Sequence, residues 1–163
     1  MTQGSETITT PAPSTRLFNM LAYAGVAPFV IGILMELAGV EVMGVGGLFL
    51  FVAYSACILS FLCGIWWGGA LNRGAHPHRI LLGILSNAVC LGAWVALLLF
   101  RSPMGLALLL FGFAFTRWAE ARLNPNVPGL YAYFRTRSRV SYIVMGCHVV
   151  MLALLLIRQP VIS

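Results

Sequence analysis

His148 is an ionisable residue near the middle of an apolar run, the ninth residue of 140–157. An ionisable group set in hydrocarbon is a functional candidate by default, as a proton relay or a cofactor ligand. No second histidine or carboxylate stands three or four positions from it, where a helix would place a partner. The plainer alternative is a neutral imidazole hydrogen-bonded to a Ser or Asn of a neighbouring helix. Asn87, beside Ser86, lies in the middle of another apolar run. It could hold two helices together, a contact of about 0.6–2 kcal/mol, or touch a ligand. Glu36 sits in the apolar sequence LMELAG, with Glu41 close behind. Either carboxylate could take a cation or a basic partner, or sit solvated at headgroup level. With Asn87 and His148, Glu36 completes a set of polar intramembrane candidates.

Two further groups are polar. His76 and His78 flank Pro77 in a turn and could offer two metal ligands, but no acidic or cysteine residue lies near them in sequence. Tyr131, Tyr133, Arg135, Arg137 and Arg139 form an aromatic and basic strip. Tyrosine suits the membrane interface, and each arginine near an anionic surface adds about 1 kcal/mol of attraction. The strip reads as an anchor, or as a docking site for a lipid headgroup or partner. Cys57, Cys63, Cys90 and Cys147 all lie in apolar runs without zinc or redox spacing. Ser/His/Asp groupings, paired carboxylates and phosphate loops are missing too. No catalytic residue, metal or cofactor is expected.

These residues need elements to hold them, and composition names the class. The chain is 60% hydrophobic and 9% charged, with mean hydropathy +0.93. A soluble domain is usually about 25% charged, so lipid must be the solvent for most of this chain. The expected fold is all-α, a polytopic membrane bundle of five transmembrane helices at about 17–38, 46–71, 80–100, 103–119 and 140–157. Residues 1–16 read as a disordered cytoplasmic tail and 159–163 as a short outer-side tail. Gly25 and Pro28 predict a kink in the first span.

The fourth span is the short one, with 15 residues between Arg101 and Arg117. Charge decides whether it crosses. With a crossing, Arg16, Arg73, Arg79, Arg117, Arg122, Arg135, Arg137 and Arg139 share one side, leaving Arg101 and Arg158 opposite. That is a positive-inside pattern, so it crosses, with the amino terminus cytoplasmic and the carboxyl terminus periplasmic. Net charge is +6, all ten basic residues are arginine, and lysine is absent. The positives fall between apolar runs, so the partner they fit is anionic lipid and not nucleic acid.

The stretch 53–72 carries Ala56, Ser60, Gly64 and Gly68, each four apart on one helix face. A face with so few side chains lets a second helix come close, within the subunit or in a homo-oligomer (dimer or trimer).

The segment SACILSFLCGIWWG, residues 55–68, resembles the ILSFLGGIHWG helix of the transmembrane-protein-69-like family, small polytopic proteins of unknown function. VPGLYAYFRTRSR is similar to that family's P-x-W-Y-x-x-L-R segment, through Pro128, Leu130 in place of Trp, Tyr131, Phe134 in place of Leu, and Arg135. With the five-helix pattern, the resemblance covers nearly all of 17–157. It implies a bacterial or mitochondrial inner-membrane protein with no established activity. Trp66 stands where the family commonly has His, so no metal or proton role carries over to that position.

The reading that follows is a non-catalytic integral protein of a bacterial inner membrane, a homo-oligomeric scaffold or assembly factor, or one serving envelope maintenance. The alternatives are a small transporter or channel with an intersubunit pore lined by Glu36, Asn87 or His148, and a lipid-headgroup-binding protein or membrane enzyme using the arginines.

Overall fold

The computed structural model describes residues 15–72, 74, 76–123 and 131–158, with backbone alone for 15, 16 and 131–134. Most of the expected amino-terminal tail, the tail 159–163, Arg73 and the loop containing Pro128 and Leu130 lie outside the described residues. Helix α1 (Thr15–Ala24) and α2 (Ala27–Ala38) lead to a short hairpin of β1 (Glu41–Val42) and β2 (Val45–Gly46). Then come α3 (Gly47–Asn72), α4 (Arg79–Leu98), α5 (Pro103–Leu123) and α6 (Tyr131–Arg158). Among the described residues, five spans are long and apolar enough to cross a membrane, α1 and α2 together making the first. The protein is an all-α, multi-pass membrane bundle.

Lipid offers the backbone no hydrogen bonds, so each span satisfies its own. The first does so imperfectly. Pro28 has no N–H, and its ring crowds the carbonyl four residues back, so α1 ends at Ala24. The Phe29 N–H turns to the Val26 carbonyl at 3.1 Å, and the Gly25 carbonyl accepts the Tyr54 hydroxyl from α3 at 3.1 Å instead. At the other end of α2, Gly39 takes φ +64°. That left-handed residue lets Gly39 N–H reach the Glu36 carbonyl and Val40 N–H reach the Met35 carbonyl, closing the helix. In the hairpin, Met43 and Gly44 at φ 54° and 77° form a two-residue turn with both central residues left-handed.

The hub is α3, which packs on α2, α4 and α5. Phe51, Val52 and Leu59 of α3 are fully buried against Phe29, Leu106, Leu109, Phe113 and Met151. Where α2 meets α3, a methyl group on Gly47 would run into the backbone of Gly32 and Glu36. This is the backbone approach that small residues permit, and it falls at Gly32 and Gly47, not on the four-residue ladder.

The fourth span is longer than its apolar run. Ser102 accepts the Met104 N–H at 3.2 Å, with Pro103 opening the helix. From there α5 continues for 21 residues, about 31 Å at 1.5 Å each. That reaches across a core of about 30 Å. It runs past Arg117 as far as Leu123 because Glu120 is buried against α6. Helix α6 likewise begins at Tyr131, so the aromatic and basic strip is about its first two and a half turns.

Candidate functional site

Three helices meet at the arginine-rich end of the bundle. Glu120 of α5 forms an ion pair with Arg137 of α6 at 2.5 Å, both side chains 6% exposed. Trp66 of α3 donates its indole N–H to the same carboxylate oxygen at 3.4 Å. Helix periodicity places Arg117 one turn before Glu120, and its guanidinium lies over the Tyr142 ring at 6.0 Å from the centroid. Spacing alone suggests that Glu120 pairs with Arg117; burial between α5 and α6 selects Arg137.

Arg137 therefore departs from the expected docking strip. Arg135 and Arg139 are exposed, while Arg137 turns inward, as successive positions on a helix do. Tyr131 and Tyr133 are helical, and their side chains lie outside the described residues. Glu120 and Trp66 were not among the expected site residues. The signal that could have found Glu120 was its being an acid amid so many arginines.

At the opposite end Glu36 ties three elements together. One carboxylate oxygen accepts Arg158 Nη1 of α6 at 3.0 Å. The other accepts the Leu48 N–H in the first turn of α3, also at 3.0 Å. A carboxylate at a helix N-terminus is favoured by the unsatisfied N–H groups and the helix dipole.

His148 is fully buried, its ring centroid 4.9 Å from that of Phe51, 5.1 Å from Phe113 and 5.8 Å from Phe29. Its Nδ1 lies 2.8 Å from the Val144 carbonyl. A carbonyl only accepts, so Nδ1 carries the proton; a box of apolar rings favours the neutral imidazole, whose lone pair is then on Nε2. That nitrogen has no hydrogen-bond partner among the described residues. The expected Ser or Asn of a neighbouring helix is replaced by the histidine's own helix.

Asn87 also departs from its expected place between helices. It is exposed on α4 and donates to the Gly83 carbonyl one turn back at 2.9 Å. The interhelical bond belongs to Ser86, whose hydroxyl donates to the Cys63 carbonyl of α3 at 2.8 Å. Glu36, Asn87 and His148 are thus not brought together into one site.

The ladder divides in two. Ala56 is in the core, and Ser60 accepts Cys90 Sγ of α4 at 3.6 Å. A methyl group on Gly64 or Gly68 would meet nothing within 4 Å. His76 and His78 keep their rings 6.0 Å apart. No group of three metal-ligating side chains occurs among the described residues.

Comparison with known proteins follows the same outline. Residues 14–153 match the family described as "Protein of unknown function (DUF3429)". The chain is 34% identical over 128 residues to Transmembrane protein 69 of Xenopus tropicalis, an alignment covering 76% of this chain and 49% of that protein. It therefore spans about half the length of that relative. No solved structure matches the chain significantly. A family match over residues 14–153, on a chain built of five apolar spans, establishes that this protein belongs to the transmembrane-protein-69-like family of proteins of unknown function.

Proposed function

We propose that the protein is a non-catalytic scaffold or assembly factor of a bacterial inner membrane, working as a homo-oligomer of two or three copies, with its amino terminus cytoplasmic. The observation that carries this reading is where the charges go. Glu36 with Arg158, and Glu120 with Arg137, spend their charge holding α6 to α2 at one end and to α5 at the other. Charge placed this way builds a rigid body. A rigid apolar body in lipid acts through the faces it offers.

The open half of the α3 ladder, Gly64 and Gly68, is such a face and would accept a helix of a second copy. Arg122, Arg135 and Arg139 are exposed at the arginine-rich end, which favours that end for the cytoplasmic leaflet and anionic headgroups as its lipid partners. Extraction of the full chain in polymer-bounded native nanodiscs, followed by native mass measurement, tests the reading. Two or three copies per particle are expected. Particles holding one copy and no other protein would refute it.

A further inference from the structure

Asn87 stands in the middle of α4, the ninth of its 20 residues and about 12 Å of helix from the nearer end. The hydroxyls of Ser55, Ser86, Thr116 and Ser141 are buried inside the bundle, and each bonds a carbonyl. Asn87 is exposed instead. One N–H of its amide donates to the Gly83 carbonyl; the amide oxygen and the second N–H have no partner among the described residues. Hydrocarbon offers such groups no hydrogen bond, and leaving them bare there is costly. Water and headgroups lie beyond the two ends of the span. The missing partner is therefore a polar group held at the same depth.

The neighbouring residues identify what carries that group. Asn87 lines a groove between α3 and α4 together with Trp67, Leu71, Ile80 and Gly83. The Ser86 hydroxyl bonds the Cys63 carbonyl at 2.8 Å, which sets those two residues level. Asn87 and Gly64 come next on their helices, so at 1.5 Å per residue they lie within about 3 Å of one level. Gly64 shares a helix face with Leu71, two turns further on, so it borders the same groove. A methyl group on Gly64 would meet nothing within 4 Å. An amide is both donor and acceptor, hence complementary to a second copy of itself. Copies inserted in the same direction are related by an axis normal to the membrane, which keeps every residue at its own depth. A two-fold axis in the groove brings Asn87 to Asn87, and the bare backbone at Gly64 leaves the two amides room.

We propose that two copies of the chain pair with α4 of each against α3 of the other, and that the two Asn87 amides hydrogen-bond reciprocally at the axis. The free N–H of each donates to the amide oxygen of the other. Ile80, Ile84 and Leu91, exposed on the same face of α4, close lipid out of the pair. A single polar pair in an apolar seam fixes register and partner number, because any slip strands both amides. The inference rests on the homo-oligomer reading and adds to it the residue that selects the register.

The test uses the full chain, labelled at its amino terminus with a donor or an acceptor fluorophore, in phosphatidylcholine vesicles over a range of protein-to-lipid ratios. Energy transfer between copies gives the association constant in the bilayer. Asn87→Leu keeps the bulk and removes the amide. Because Asn87 bonds its own helix, the variant should fold, with unchanged helical circular dichroism. Its association constant is expected to fall about tenfold, the loss of two interhelical hydrogen bonds of modest strength. Asn87→Gln retains donor and acceptor and should restore most of the association. Asn87→Cys, in a chain lacking the native cysteines, should give a disulfide-linked dimer in the same vesicles. Association unchanged by Asn87→Leu, or no dimer from Asn87→Cys while the unaltered chain associates, would overturn the pairing and leave the homo-oligomer reading standing. Energy transfer in the unaltered chain no greater than that of randomly distributed monomers would overturn both.

Discussion

Arg158 Nη1 lies 3.0 Å from Glu36 Oε1, a contact between residues 122 positions apart that fastens the end of α6 to the end of α2. Arg158 also donates to the Leu37 carbonyl at 3.3 Å. The pair is partly exposed, at 45% and 21% of the side chains, so the ionic part is screened and contributes about 0–1 kcal/mol. The Leu48 N–H bond is the sturdier half of Glu36's work. Arg158→Ala should therefore cost less than about 1 kcal/mol, and Glu36→Ala about 1–2 kcal/mol through loss of the cap on α3. Equilibrium unfolding in mixed micelles measures both.

The ion pair at the other end is buried and behaves differently. Arg137→Ala strands the Glu120 carboxylate in an apolar span and should cost about 3–5 kcal/mol. The double substitution Glu120→Leu with Arg137→Met removes both charges and should recover most of that loss. The same unfolding measurement on the two variants tests whether the pair serves structure alone.

His148 carries its lone pair into a box of three phenylalanine rings. An unpaired buried acceptor costs about 1–3 kcal/mol, and leucine is of similar volume but fully apolar. His148→Leu should change stability by less than about 1.5 kcal/mol in either direction. It should leave the cellular phenotype intact. Loss of phenotype with normal stability would assign the ring a chemical role.

Small residues on α3 should not be equivalent. Gly47→Ala collides with the backbone of α2 and should cost about 2 kcal/mol or more, as overpacking does. Gly64→Ala meets open space and should leave the isolated subunit's stability unchanged or slightly raised. Paired thermal melts of the two variants check the contrast.

Much of the architecture was legible because lipid demands long apolar runs, and five such runs form helical spans long and apolar enough to cross a membrane. The kink was legible too, since Pro28 removes a donor wherever it stands in a helix. Faces were not. In lipid both the inner and outer sides of a helix are apolar, so hydrophobicity does not say that Ser86 points inward while Asn87 points out. Ion-pair partners were equally hidden. Glu120 has a neighbour of opposite sign one turn away, yet bonds an arginine of another helix because the two are buried together. The ladder was visible as a spacing, but small side chains alone do not say which rungs another helix already covers.

Homo-oligomeric contact at the open half of the ladder is tested most directly by Gly64→Cys in a background lacking Cys57, Cys63, Cys90 and Cys147, oxidised in native membranes. Gly64→Cys and Gly68→Cys should each give a band of twice the subunit mass, while Val149→Cys, on an exposed face of α6, should not. Monomer alone at both α3 positions, or an equal dimer band at all three, would contradict the scaffold built on that face.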